Sequence, residues 1–134
     1  MRLMQLLVMC AVTVSAPAWS GSKKAPVRYP SELHGFWIPE AAACPKAGES
    51  FIGDTALQIG PRLIQGYEDL SKPTSVVLIS RKPLAWRIES LMDAGPSGIY
   101  TKDEPGIYVV GDQRITIVSV SNAETYRRCA DHSK

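Results

Sequence analysis

The sequence predicts an all-β fold, an antiparallel sandwich or barrel of about eight short strands. From Thr55 onward, short runs of apolar and β-branched residues alternate with Gly, Pro, Asn, Asp and Ser. No segment keeps the period of about 3.6 residues that a long amphipathic helix requires. Because the chain has 134 residues, these strands predict one small domain.

The domain is expected to begin with a helical turn and a strand. Residues 31–34 are predicted to form the turn, and residues 35–38 to form the first strand, which Pro39 ends. Three alanines in residues 40–44 favour a short helix, which Pro45 ends.

The middle of the chain contains the clearest strand patterns. Residues 75–80 are β-branched and apolar on both faces, which indicates a central strand. Leu84, Trp86 and Ile88 alternate with charged residues, and this period of two is typical of a half-buried strand. Further strands are predicted at residues 56–59, 62–70, 99–102, 107–110, 113–120 and 125–129.

Turn residues separate the predicted strands. Ser71-Lys72-Pro73 is expected to end one strand, and residues 93–98 form a turn by composition. Gly111-Asp112 is predicted to be a two-residue hairpin turn.

Residues 1–18 have the features of an export signal. Arg2 precedes the apolar run 3–14, and Ala16-Pro17-Ala18 has the small-residue spacing that signal peptidase cleaves. The run is shorter than the roughly 18 apolar residues of a membrane anchor. We therefore expect a periplasmic or secreted protein without a membrane span, cut after residue 18, with a cut after residue 20 as the alternative.

The remaining chain is expected to have two parts. Residues 19–30 are rich in Ser, Gly, Lys and Pro and predict a flexible amino-terminal arm. Residues 31–134 are predicted to be the single β domain. The net charge of +2 over the whole chain is too small to attract nucleic acid or an anionic membrane, so neither is expected as a partner.

The cysteines predict one disulfide. Cys10 lies in the export signal, which leaves Cys44 and Cys129 to pair in an oxidising compartment. Because the bond would join the start of the domain to its end, loop-closure entropy assigns it about 4–5 kcal/mol of stability.

The chain resembles two groups of proteins. Gly35-Phe36-Trp37, after a helical turn, is similar to the Gly-x-Trp that opens the first strand of lipocalin-like β-barrels. Together with Cys44 and the closing residues Tyr126-Arg127-Arg128-Cys129, it also resembles small exported proteobacterial proteins of unknown function. The resemblance implies a lipocalin-like β-barrel and no particular activity.

The same resemblance implies structural roles for Gly35, Trp37 and Arg128. In lipocalin-like barrels an arginine near the end of the chain commonly covers the first-strand tryptophan. Here that arginine would be Arg128 or Arg127, and its guanidinium over the indole would contribute about 0.5–2 kcal/mol.

The sequence contains no pattern typical of catalysis or cofactor binding. A Gly-x-Ser-x-Gly elbow is absent, as are zinc and calcium motifs and a phosphate-binding glycine loop. The only histidines are His34, beside the first predicted strand, and His132, near the end of the chain, where a base would be poorly oriented; a shared catalytic role is therefore not expected. We therefore expect a protein that is not an enzyme, with no catalytic residue, no cofactor and no metal ligand.

Several aromatic side chains allow two interpretations. They could line a ligand pocket at a barrel mouth, and the candidates are Trp86, Tyr67, Tyr100 and Tyr108. Alternatively, they fill the core, and this second interpretation suits a barrel this small better.

Two functions follow as hypotheses. The first is an exported barrel that binds a small apolar or amphipathic molecule. The second is a module that binds an envelope or extracellular protein, for instance an inhibitor of a secreted hydrolase that uses the arm at residues 19–30.

Overall fold

The structure, a computed structural model, describes residues 24–46, 55–95 and 98–130. The predicted export signal at residues 1–18 and His132 lie outside the described residues. Within the described ranges, no helix has the length and apolar character needed to cross a membrane.

One 3₁₀ turn, Ser31–Leu33, precedes nine strands in the described residues. The strands are β1 Gly35–Pro39, β2 Leu57–Ile59, β3 Ile64–Gln65, β4 Asp69–Arg81, β5 Leu84–Ala94, β6 Thr101–Lys102, β7 Gly106–Gly111, β8 Arg114–Val118 and β9 Ala123–Cys129.

Antiparallel pairing closes these strands into a barrel. The order around the sheet is β4-β3-β2-β1-β9-β8-β7-β5, and β5 also pairs with β4. The short β6 lies beside β5 beyond the end of β7, so β6 and β7 occupy one interrupted position. The result is a closed eight-stranded antiparallel barrel with one short helical turn before it, which confirms the predicted fold class.

Two predicted strand boundaries in the first half were wrong. Residues 62–70 do not form one strand, because only Ile64–Gln65 pair as β3 before a turn in which the Gly66 amide donates to the Asp69 carbonyl oxygen. β4 does not end at Ser71-Lys72-Pro73, because a register irregularity between Pro73 and Ser75 lets the proline lie within a paired strand.

Two further local predictions were also wrong. Residues 40–44 form a turn, in which the Ala42 amide donates to the Pro39 carbonyl oxygen, and not a helix. The hairpin between β7 and β8 turns at Asp112-Gln113, because Gly111 still pairs with Arg114. Gln113 accordingly has a positive φ of 52°.

The predicted arm at residues 19–30 extends into the barrel core at its end. The Tyr29 side chain is only 2% exposed. Its backbone amide donates to the Pro61 carbonyl oxygen at 3.0 Å, and the His34 ring bonds to its carbonyl oxygen. Tyr29 therefore belongs to the folded domain.

The first strand is buried on both faces. Trp37 lies inside the barrel, in a cluster with Leu33, Ile59, Ile64, Ile88, Ile115, Tyr29 and Tyr126. Phe36 and Ile38 lie on the opposite face, in a second cluster with Ala56, Cys129, Ala42 and Cys44. Residues 40–46 therefore cover the outside of β1.

The predicted disulfide holds this outer cover in place. Cys44 and Cys129 are bonded, with their Cα atoms 5.8 Å apart, and this confirms the predicted pair. Arg127 on β9 donates from Nε to the Ala42 carbonyl oxygen at 3.2 Å. Arg114 and Glu40 add an ion pair of 2.8 Å, which is solvent-exposed and contributes little.

A second arginine covers the interior tryptophan. The Arg128 guanidinium lies 4.4 Å from the centre of the Trp37 ring and donates to the Glu32 carbonyl oxygen at 2.9 Å. Gly35 has a φ of 141°, and a Cβ atom there would lie 3.4 Å from Arg128 Nη1. The glycine of Gly-x-Trp is thus explained by its positive φ, which residues with a Cβ atom rarely adopt.

Replacing both cysteines, Cys44→Ser with Cys129→Ser, is expected to lower the free energy of unfolding by about 2–5 kcal/mol. The loss arises because the unfolded chain gains freedom and the cover over Phe36 and Ile38 loosens. Urea denaturation measures it. Adding a reductant should destabilise the native protein similarly and leave the double variant unchanged, whereas equal stability of the two proteins would contradict this role of the bond.

Candidate functional site

A row of five paired side chains crosses the inside of the barrel. Each residue of the row is the direct cross-strand partner of the next. The row runs from Leu78 on β4 through Trp86 on β5, Tyr108 on β7 and Ile117 on β8 to Glu124 on β9. Directly paired residues project from the same face of a sheet. Because Trp86, Tyr108 and Ile117 pack against the interior cluster, the whole row faces inward. We call these five residues the interior row.

The interior row is less completely covered than the centre of the barrel. Its first four members are only partly buried, and Glu124 is exposed. Trp37, Ile88 and Ile115, which also face inward, are at most 1% exposed. The centre of the barrel is therefore filled by side chains, whereas the side chains of the interior row are only partly covered.

Trp86 has an indole N–H with no acceptor among the described residues. Its Nε1 atom is buried and makes no hydrogen bond. The other interior tryptophan differs, because Trp37 Nε1 donates to the Leu33 carbonyl oxygen at 2.8 Å. Since an indole N–H can only donate, Trp86 is suited to an acceptor atom that the protein does not supply.

Tyr108 lies beside Trp86 because Gly106 leaves room for its ring. A Cβ atom at residue 106 would lie 2.9 Å from Tyr108 Cε2, so a larger residue would displace the ring. Burial raises the pKa of the Tyr108 phenol, and charge interactions with Tyr29, Asp103 and Tyr126 raise it further.

Tyr29 reaches across the interior to β5. Its hydroxyl and Ser90 Oγ share a hydrogen bond of 3.2 Å. Burial raises the pKa of Tyr29 to about 12, the Ser90 bond opposes the shift, and the charge of Asp103 adds to it. Asp103 is held nearby, because its amide donates to the Ser90 carbonyl oxygen at 3.0 Å.

The third interior phenol lies next to a carboxylate. The Tyr126 hydroxyl donates to the Glu124 carboxylate. Burial raises the pKa of Tyr126, and Glu124 and the charge of Asp69 raise it further. The surroundings of all three phenols thus disfavour added negative charge.

The arrangement is suited to binding more than to bond-breaking chemistry. Trp86 and Tyr108 offer adjacent ring faces, and the phenols and the indole N–H offer hydrogen bonds. Both described cysteines are oxidised, and His34 hydrogen-bonds to the backbone. In the described ranges, no three His, Cys, Asp or Glu residues come together as a metal site.

The structure brings together two of the four aromatic residues named from the sequence as possible pocket residues. Trp86 and Tyr108 are direct partners on β5 and β7. Tyr67 is 56% exposed in the turn between β3 and β4. Tyr100 lies under the Lys72 ammonium, 3.8 Å from its ring centre.

Tyr100 is on the outer face of the barrel. Ser90 points inward to Tyr29, so the next residue, Leu91, points outward. Lys72 is the direct partner of Leu91 and therefore also points outward. Tyr100 and Tyr67 accordingly do not belong to the interior row.

Sequence reasoning missed three polar groups of the interior, those of Tyr29, Ser90 and Glu124. Ser90 follows Ile88 by two residues, as Ile88 follows Trp86, so the same alternation would have placed Ser90 on the inward face. Tyr29 and Glu124 carry no comparable signal, because one precedes the first strand and the other is an exposed charge near a turn.

No family model matches the sequence, and neither a curated protein nor a solved structure matches the chain.

The free energy of unfolding is expected to fall as the pH rises from about 10 to about 12. Tyr29 ionises near pH 12 in the folded protein, compared with about 10 when unfolded, so the unfolded state holds fewer protons in this window. Urea denaturation at several pH values measures the slope. Tyr108→Phe should make it shallower, and a native protein with constant stability over this window would contradict the burial of these phenols.

Proposed function

We propose that this protein is an exported, non-enzymatic β-barrel that binds one small amphipathic molecule against the interior row. The observation that carries the proposal is the pair Trp86 and Tyr108, two adjacent inward-facing rings that are only partly buried. Core residues such as Ile88 are covered almost completely. A ligand that stacks on both rings would remove them from water.

The surroundings of the pair support an amphipathic ligand over a purely apolar one. Ligand sites in barrels combine apolar walls with a few placed polar groups. Here Leu78 and Ile117 flank the rings within the row, and the Trp86 N–H and the Tyr108 hydroxyl are the polar groups. An apolar body with one polar atom matches this lining.

Two observations support an exported binder without catalytic activity. The Cys44–Cys129 disulfide suits an oxidising compartment outside the cytoplasm. The Ser90 hydroxyl hydrogen-bonds to the neutral phenol of Tyr29, which is not a general base at physiological pH. The Glu124 carboxylate accepts a hydrogen bond from the Tyr126 phenol, and the Asp103 carboxylate accepts one from the Glu104 backbone amide.

The proposal predicts saturable binding of the neutral fluorophore phenylnaphthylamine, one molecule per chain, measured by its fluorescence. Trp86→Ala should weaken binding about 5- to 30-fold, because the lost ring contact corresponds to about 1–2 kcal/mol. Tyr67→Ala, in the exposed turn, is the matched control and should bind normally. Binding that never saturates, or an affinity unaffected by Trp86→Ala, would refute the proposal.

A second candidate function is binding of an envelope or extracellular protein, such as a secreted hydrolase. Val77, Ile79 and Ile107 are 47%, 49% and 37% exposed. Val77 and Ile107 flank Arg87 directly across β4, β5 and β7, on the outside of the barrel. Exposed apolar groups of this kind are typical of protein interfaces.

The two functions can be separated by charging this outer surface. Val77→Asp with Ile107→Asp should abolish capture of a partner protein from the native envelope while leaving phenylnaphthylamine binding intact. Interior variants such as Trp86→Ala should do the reverse. Unchanged capture by the Val77→Asp, Ile107→Asp protein would remove the second candidate.

A further inference from the structure

We propose that the ligand of the interior row is uncharged and presents a hydrogen-bond acceptor, such as a ketone, ester or amide carbonyl oxygen, to Nε1 of Trp86. The inference rests on the proposed function and adds the chemical class of the ligand. It is carried by the difference between the two interior tryptophans.

The indole N–H of Trp86 is a hydrogen-bond donor without an acceptor in the described part of the chain. Trp86 Nε1 is buried and has no acceptor within the described residues, whereas Trp37 Nε1 donates to Leu33. Buried N–H groups in folded proteins are nearly always bonded, and an unbonded one is unfavourable. A ligand oxygen that accepts this hydrogen bond would remove that penalty, so the site favours ligands that carry one.

The neighbours of Trp86 in the interior row offer mainly apolar surface. In the interior row Trp86 lies between Leu78 and Tyr108, an aliphatic and an aromatic side chain. The atoms next to the accepting oxygen would therefore contact apolar surface. A carbonyl attached to an aromatic or aliphatic body has this form.

The charges of the interior row disfavour an anionic acceptor. The interior row contains no cation, and its only charged member is the carboxylate of Glu124. Arg128 is engaged with the Trp37 ring and the Glu32 carbonyl oxygen. A buried carboxylate would thus have only neutral donors, the Trp86 N–H and the Tyr108 hydroxyl, and no counter-ion in the row, which is strongly unfavourable. The raised pKa values of the three interior phenols agree with this, because burial and nearby carboxylates oppose negative charge there.

Three naphthalene compounds test the inference in equilibrium dialysis: naphthalene, acetylnaphthalene and naphthoate, with the oxygen at the same ring position. The ring is shared, so differences in affinity report the polar group. Acetylnaphthalene should bind about tenfold more tightly than naphthalene, the value of one good hydrogen bond. Naphthoate should bind more weakly than either.

Indole resonances in nitrogen–proton correlation spectra of the full exported chain give a direct readout. The Trp86 N–H signal, assigned by its loss in Trp86→Phe, should move downfield with acetylnaphthalene and less with naphthalene. The Trp37 N–H signal is an internal control and should not move, because that N–H already donates to Leu33.

Trp86→Phe keeps an aromatic ring and removes the donor. It should bind naphthalene nearly as well as the native protein and lose the preference for acetylnaphthalene. If the native protein binds naphthalene and acetylnaphthalene equally, or if the Trp86 signal is unchanged, the inference is wrong and the proposed function stands. If none of the compounds binds saturably, the proposed function itself fails.

Discussion

The pairing of the first strand with the last is the interaction on which the rest of the structure depends. β1 and β9 close the barrel, with Trp37 directly opposite Arg128 and Phe36 directly opposite Cys129. Without that pair both strands would be open edges, which are prone to pair with other chains. The closure is reinforced on the inside by the guanidinium over the Trp37 ring and on the outside by the disulfide.

This closure divides the barrel into a filled part and an accessible part. Around β1, the helical turn, Tyr29 and Arg128 surround Trp37, so the tryptophan is completely buried. Across the barrel, the long strands β4 and β5 present Trp86 and its partners in a row that stays partly open. A small domain thus combines a packed core with an interior row that is only partly covered.

The chemistry of the accessible part follows from burial in a region of low polarity. Burial and neighbouring carboxylates raise the pKa values of three phenols and so oppose negative charge there. The indole N–H of Trp86 has no protein acceptor among the described residues. Neutral donors beside two aromatic faces are the basis of the proposal that the ligand carries an uncharged polar atom on an apolar body.

The sequence by itself determined the strand content, the single crosslink and the Gly-x-Trp at the barrel closure, because these depend on local alternation, on cysteine number and on a short motif. It also identified Trp86 as inward-facing, since its alternation with Arg87 is visible in the chain. Only the tertiary structure decided that Tyr108 joins it while Tyr67 and Tyr100 lie elsewhere. The physical reason is that alternation of side chains along a strand shows which face of the sheet each side chain lies on. It does not show which other strand pairs with that strand. Pairing between distant strands, including the irregularity that keeps Pro73 within β4, sets which rings meet and which donor is left without an acceptor.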